Sequence, residues 1–485
     1  MNDSSSKPLE TEPESEPQAP LPDRNLFRGG LLLLVVTLGY YAFNAEVSAV
    51  TERYEGLAII VLAALPALMW AKRATYEFPV FEVFMLTGIN IYALPLLNGQ
   101  SELQAYSESV VTQAGAAVLF FQIIAIATYA ATRGRPRTTP FWTNEIFSSD
   151  SGKYVGYGLV LTTIYTGIAN FSAIIPSDLG ALLRAVFYGL GIISGFIQGL
   201  RWGQGALSFQ GKVGLALNIA LQVVFNFASL YLIGGISILV LVLIGYVSGS
   251  KRLPIVTVVI ILLLTALVAL LHNGKTTMRD KYWVVDKNNN MAEAAPTLTE
   301  LPGFFTEWIQ DGLNLHQKSG ITNKLIERTS LFQMICLVVD NSPDRLPYLD
   351  GETYAQIPGQ FIPRFLWPDK PVGKISNDTL SIYYGLQSPE GTQKTTIAFG
   401  LLAEAYANFG FYGMGLLAAV FAFSLKKYNL WTQQSPILSY AGLLLVLLMA
   451  WSFQTELTLS NWLSSFFQAA VAVLGVPFIL RHILG

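Results

Sequence analysis

The chain has 485 residues, of which 52% are hydrophobic and only 13% are charged, against about 25% charged in an ordinary soluble protein. The formal net charge of −2 excludes a basic plate for nucleic acid and a large partner held by net charge. The single cysteine, Cys336, excludes an intramolecular disulfide.

The apolar residues come in long runs, so the expected fold class is all-α: a polytopic helical membrane protein. The first 28 residues are rich in Pro, Glu and Ser, cannot bury enough apolar surface to fold, and read as a disordered tail. That tail lacks the basic segment followed directly by a short apolar core that marks a secretory signal. Glutamates 10, 12, 14 and 16 alternate within it, a pattern that a solvated tail explains without a metal.

A hydrocarbon core of about 30 Å needs about 20 apolar residues per helix. Stretches of that kind fall near 29–46, 56–71, 79–97, 109–131, 154–174, 180–200, 213–231, 233–250 and 254–272, then near 398–425, 436–454 and 462–480. The expectation is therefore about twelve spans. Gly234 and Gly235 supply the tight turn between the seventh and eighth.

Short-loop cations orient the spans. With the N-terminus inside, Lys72, Arg73, Arg133, Arg135, Arg137, Lys153, Arg201, Lys212, Lys251, Arg252, Lys426, Lys427 and Arg481 all fall inside, while Arg53 and Arg184 lie at the outer side. Both termini are expected in the cytoplasm. The organisation is a tail (1–28), an N-terminal bundle of nine spans (29–272), a large outer loop (273–397) and a C-terminal bundle of three spans (398–485).

The outer loop is out of scale with every other connection, and long loops rarely persist without function. Its basic residues are Lys275, Arg279, Lys281, Lys287, Lys318, Lys324, Arg328, Arg345, Arg364, Lys370, Lys374 and Lys394, balanced by acidic residues. Any anion site must therefore come from local clustering. Lys275 with Arg279, and Lys324 with Arg328, stand four apart. Such pairs repel unless an anion lies between them, or unless the side chains snorkel to headgroups or water. The run 321–339, ITNKLIERTSLFQMICLVV, reads as a re-entrant or interfacial helix, because the charge rule already requires an even number of full spans. Cys336 falls in its apolar part and reads as packing.

The stretch IPRFLWPDKP (362–371) places Arg364 and Lys370 around a proline-stiffened turn. Aromatic residues accompany the cations. Trp308 is expected in the interfacial belt; Trp367, held between prolines, suits the apolar face of a sugar ring instead. Beyond the loop, Glu404 lies in an apolar helix at an insertion cost of about 2.5–3.5 kcal/mol. It is a functional candidate or one half of a structural ion pair. Glu82 and Glu456 carry weaker forms of the same argument, and the glycines at 400, 410, 413 and 415 allow close helix packing. There is no D-x-D in the first outer loop, no P-loop, and no HExxH or Cys/His ligand set; the histidines at 272, 316 and 482 are scattered.

The large outer loop ending in IPRFLWPDKP, followed by GLLAEAYANFGFYG (400–413), resembles the oligosaccharide repeat-unit polymerases, the Wzy-type O-antigen and exopolysaccharide polymerases of bacteria. The likeness covers the general layout and is most specific over about 350–415. It implies a GT-C-like fold and a multi-pass enzyme of the bacterial cytoplasmic membrane. Such an enzyme joins oligosaccharide units carried on undecaprenyl diphosphate, without metal or cofactor. The implied diphosphate-binding residues are Arg364 and Lys370, with Arg279, Lys324 and Arg328 as further candidates. Glu404 or Asp369 takes the acceptor proton, and Trp367 and Tyr354 contact sugar. The implied partners are the lipid-linked oligosaccharide, membrane lipid, a chain-length regulator and a flippase, with no nucleic acid. A glycan ligase of similar design and a lipid-linked sugar transporter are the rival readings. A cysteine transpeptidase would require Cys336 to be reactive.

Overall fold

The computed structural model describes residues 24–47, 49–72, 78–134, 152–171, 177–230, 232–250, 281–285, 291–293, 299–318, 330–362, 373–394, 396–433 and 435–475. It also describes scattered positions between 263 and 297, and Trp367, Lys370 and Pro371. The chain is helical. Its first helices are α1 (Arg24–Asn44), α2 (Val50–Ala71), α3 (Val80–Leu97, with a π turn at Ile89–Ala93) and α4 (Glu108–Ala131). Then come α5 (Gly152–Phe171), α6 (Ser177–Gly203), α7 (Phe209–Ala228) and α8 (Leu232–Ser250). Among the described residues, six helices are long and apolar enough to cross a membrane: Leu26–Asn44 within α1, α2, α3, α4, α7 and the later Gly400–Thr432. The molecule is a helical membrane protein.

Several of these helices are apolar all round, as lipid-facing helices must be. In α1, Leu32 and Leu33 are exposed, as are Leu416 and Val420 in the later helix. Exposed leucines are costly in water and favoured in lipid.

The large loop opens with helical positions at 274–275, 277–278 and 281–282, turns into a small hairpin, β1 (Trp283–Val285) paired antiparallel with β2 (Met291–Glu293), and continues into α9 (Leu301–Lys318). Trp308 departs from its expected place in an interfacial belt. Its side chain is fully buried in a cluster with Phe304, Met278 and Leu271, and its indole N–H donates to the Leu271 carbonyl at 2.6 Å. A satisfied indole inside an apolar cluster is more stable than one left at the surface.

Next come α10 (Phe332–Asn341), α11 (Glu352–Ala355), α12 (Ile357–Phe361), α13 (Ile375–Tyr383) and α14 (Pro389–Lys394). Helix α10 is about 15 Å long, half the thickness of a hydrocarbon core. It packs between α4 and the helix that follows the loop, with Phe332, Ile335, Cys336 and Val338 fully buried. The earlier part of the 321–339 run, up to residue 329, lies outside the described residues.

The chain ends with α15 (Gly400–Thr432), α16 (Tyr440–Ser452) and α17 (Leu459–Ala470), the last closing in a π turn at Val471–Gly475. Where the sequence reads one span near 398–425, α15 is two arms joined at a sharp break. Phe409 (φ −147°, ψ 16°) and Gly410 (φ +61°, ψ −143°) leave the helical region. The arms then pack against each other, so closely that a Cβ at Gly413 would sit 2.2 Å from the Ala405 carbonyl oxygen.

Helix α4 records the change of direction. Leu401 and Leu402 share a cavity wall with Phe121 and Gln122, Tyr406 accepts from Gln113, Phe411 meets Phe120, and Asn429 donates to Tyr129. The first arm therefore runs towards the N-terminal end of α4, and the second runs back along it. The second arm, from residue 411 to 432, is about 33 Å long and suffices alone to cross a bilayer.

Candidate functional site

The break in α15 leaves carbonyls at the end of its first arm without helical partners. The large loop supplies them. Leu349 N–H donates to the Ala407 carbonyl at 3.0 Å, and Asp350 N–H donates to the Asn408 carbonyl at 3.2 Å. The fully buried Asn408 side chain adds three bonds. Its Oδ1 accepts from Gly351 N–H at 3.1 Å, and its Nδ2 donates to Thr353 Oγ1 and to the Glu404 carbonyl, each at 2.8 Å. A buried amide with both ends satisfied fixes the register of two segments. Here it fixes residues 349–353 onto the break.

Glu404 lies one turn before Asn408 and is fully buried. Its Oε2 accepts from Leu459 N–H, the first residue of α17, at 2.6 Å. A carboxylate suits that position, because the first N–H groups of a helix lack internal acceptors and carry the positive end of its dipole. Among the described residues Glu404 forms no ion pair. Its Oε1 has no partner at hydrogen-bond distance, although Thr353 stands beside the carboxyl. The Thr353 hydroxyl accepts from Asn408 and keeps its own O–H to turn towards the carboxyl.

Tyr354 follows Thr353 in α11, and its ring lies 6.3 Å from that of Phe409. Its hydroxyl is buried without a hydrogen-bond partner, and burial, with the Glu404 carboxyl second, pushes its pKa above the usual phenol range. Helix α13 is tied to the same place by the bond from Ser376 Oγ to the Thr353 carbonyl, at 3.2 Å. Glutamate, threonine, tyrosine and asparagine thus meet where the loop, the broken helix and the start of α17 converge.

Of the cationic stretch 362–371, Ile362, Trp367, Lys370 and Pro371 are described. Lys370 Nζ donates to the Ile362 carbonyl at 2.8 Å and to the Gln360 carbonyl at 3.1 Å, which closes the stretch onto the end of α12. The Trp367 ring covers Gly359 of α12 and is 41% exposed, open enough to receive a ligand face. Arg364 and Asp369 lie outside the described residues, as do Arg279, Lys324 and Arg328. Three other loop cations are paired locally: Lys281 with Glu307 and Asp311, Arg345 with Asp340 at 2.8 Å, and Lys374 with Asp378 at 3.6 Å. Cys336 is fully buried, and burial raises its thiol well above the ordinary range, the opposite of an activated nucleophile.

A water-sized cavity lies behind the first arm, bordered by Gly88, Tyr92, Gln122, Leu401 and Thr455. It is too small for a sugar or a lipid chain.

Sequence reasoning singled out Glu404 and Tyr354 but passed over Thr353, Asn408 and Thr458. The signals were present. Asn–Phe–Gly inside an apolar run is a turn signal, and Thr458 followed by Leu459, Ser460 and Asn461 is a helix-start signal.

A family model described as a domain of unknown function (DUF8712) matches residues 207–383, a little over a third of the chain. The match runs from the turn before α7 to the end of α13 and stops short of Glu404. No curated protein and no solved structure matches the chain.

Proposed function

We propose that this protein is a membrane glycosyltransferase that polymerises oligosaccharide repeat units carried on undecaprenyl diphosphate. In this reading it crosses the bacterial cytoplasmic membrane about twelve times in a GT-C-like arrangement, with both termini in the cytoplasm and the 273–397 loop outside. The observation that carries the proposal is the half-satisfied Glu404 carboxylate. It sits at the place where the large loop docks on a broken apolar helix, and it caps α17, the helix along which α12, bonded by Lys370, is packed. The resemblance of IPRFLWPDKP and GLLAEAYANFGFYG to repeat-unit polymerases supports it from the sequence side.

In the reaction, a hydroxyl of the incoming unit attacks the anomeric carbon of the growing chain. The new C–O bond forms as the bond to the lipid diphosphate breaks, and the electron pair leaves with the diphosphate oxygen. Arg364 and Lys370 neutralise that departing charge, as preorganised donors do at any developing anion. Glu404, or Asp369, accepts the hydroxyl proton. Trp367 and Tyr354 contact sugar. The chemistry calls for no cofactor; a chain-length regulator and a flippase are the expected companions.

The test is deletion of the protein and complementation with Arg364→Ala. Deletion is expected to leave single repeat units on lipid, and the variant, present in the membrane at the normal level, is expected to restore no polymer. Long lipid-linked chains after deletion would instead indicate a ligase. Units held on the cytoplasmic leaflet would indicate a transporter. Polymer of normal length from Arg364→Ala would remove the proposed cation site.

A further inference from the structure

Around Glu404, buried polar side-chain atoms without hydrogen-bond partners gather on five converging elements. They are Tyr354 Oη on α11, Gln360 Nε2 on α12, Asn377 Oδ1 on α13, Glu404 Oε1 on α15, and the hydroxyls of Thr458 and Ser460 at the start of α17. Glu404, Thr458 and Ser460 are fully buried, and Gln360 and Asn377 are each 3% exposed. Their convergence is fixed by two bonds already described and one packing contact. Leu459, between Thr458 and Ser460, donates to Glu404, Ser376 next to Asn377 donates to the Thr353 carbonyl, and α12 packs along α17.

Buried polar groups in native proteins nearly always have partners. An isolated exception is common, but six at one junction call for a ligand with many small polar groups. Thr458 sharpens the point. It occupies the N-cap position of α17 with cap-like backbone angles (φ −69°, ψ 157°), yet its hydroxyl makes no cap bond. An N-cap threonine ordinarily bonds back into its own helix.

We infer that this junction binds the sugar that accepts the growing chain, holding one edge of its ring by neutral hydroxyl-to-hydroxyl and hydroxyl-to-amide hydrogen bonds. The inference rests on the polymerase reading and adds the place and chemistry of acceptor recognition. The ligand class follows from the donor and acceptor inventory. Hydroxyls both donate and accept, the Gln360 nitrogen donates, and the Asn377 oxygen and Glu404 Oε1 accept. That mixture matches a sugar edge, on which every hydroxyl does both.

It does not match a diphosphate. Glu404 presents an acceptor, and no described cation bonds to any of the six groups. The diphosphate belongs instead with Lys370, which bonds the carbonyl of Gln360, the same residue whose side-chain amide serves the acceptor side. Gln360 is thus shared by the two halves of the site. Tyr354, Gly373 and Asn461 are partly exposed, with Asn461 Oδ1 4.0 Å from where a Cβ on Gly373 would lie, and a sugar edge would enter on their side. The acceptor hydroxyl that reaches Glu404 Oε1 gives its proton there as its oxygen bonds the anomeric carbon of the donor.

The experiment uses the purified full-length protein in lipid nanodiscs and two probes. One is undecaprenyl diphosphate. The other is the lipid-diphosphate-linked repeat unit isolated from cells that lack the protein. Thr458→Val and Ser460→Ala keep size and helix start and remove one hydroxyl each. Each is expected to weaken binding of the repeat-unit lipid about tenfold, the loss of one neutral hydrogen bond, and to leave binding of undecaprenyl diphosphate unchanged. Lys370→Met is expected to weaken both.

Unchanged binding of both probes in Thr458→Val and Ser460→Ala overturns the inference. So does an equal loss for both probes, because the hydroxyls would then support the fold or hold water. If the unaltered protein binds neither probe, the polymerase reading itself fails. If it binds both while the two variants behave like it, only the acceptor site is refuted.

Discussion

Glu404 carries two separable duties, and two substitutions divide them. One oxygen accepts the first N–H of α17, while the other faces the junction with Tyr354 and Thr458. Glu404→Gln retains an oxygen for Leu459 N–H, so its thermal unfolding in detergent is expected to match the parent while polymer is lost. Glu404→Leu leaves that N–H buried without an acceptor, at a cost of about 1–3 kcal/mol, and is expected to lose stability and polymer together. Polymer made by Glu404→Gln would reduce the residue to a helix cap. Asp378 gives a second prediction at this scale. Burial raises its pKa above the ordinary carboxylate value, and Lys374 opposes the rise. The folded state then holds the proton more tightly than the unfolded chain. Its contribution to stability is therefore present at acid pH and lost as pH rises through the folded value. Asp378→Asn is expected to gain on the parent as pH increases through that window, read as the difference between their melting temperatures. A constant difference at all pH values would contradict the assignment.

At the scale of elements, the broken helix α15 is the part on which the site depends. Gly410 holds a φ of +61°, and a Cβ there would lie 2.5 Å from Tyr348 Oη. Gly413 is needed for contact rather than conformation, since its Cβ would strike the Ala405 carbonyl. Gly410→Ala and Gly413→Ala are each expected to destabilise by about 1–3 kcal/mol and to loosen residues 349–353, an effect that hydrogen exchange at Gly351 N–H would report. Gly214→Ala in α7, where a Cβ meets nothing within 4 Å, is the control and is expected to be neutral or slightly stabilising. The glycines at 410 and 413 were visible in the sequence as close-packing residues. That they turn the helix was harder to see, because an apolar run of this length reads as a span whether or not it bends. The same limit applies to Trp308: composition places an aromatic loop residue at an interface, and only packing shows it enclosed by Phe304 and Leu271.

For the whole molecule, the testable claim is orientation. The only cysteine, Cys336, is fully buried, which gives a silent background for thiol labelling. Leu386→Cys, in the exposed turn after α13, is expected to react with a membrane-impermeant maleimide on intact spheroplasts. Ala206→Cys, exposed between α6 and α7, is expected to react only after the membrane is opened. The reverse pattern would invert the topology drawn from lysine and arginine positions and put the loop on the wrong side for polymerisation.

Composition and hydropathy suffice for the helical, membrane-borne class, because long apolar runs with so little charge have few other solutions in water or lipid. They also locate the large loop and mark Glu404 as a costly residue in an apolar helix, since hydropathy and charge are read residue by residue. Tertiary structure alone decided what surrounds that carboxylate. The bonds from Asn408 to Thr353 and Gly351, and from Leu459 to Glu404, join residues more than fifty positions apart. No local pattern encodes such pairings. They follow from a helix that breaks at Gly410 and exposes carbonyls, which the loop, folding back from more than fifty residues earlier in the chain, is placed to satisfy.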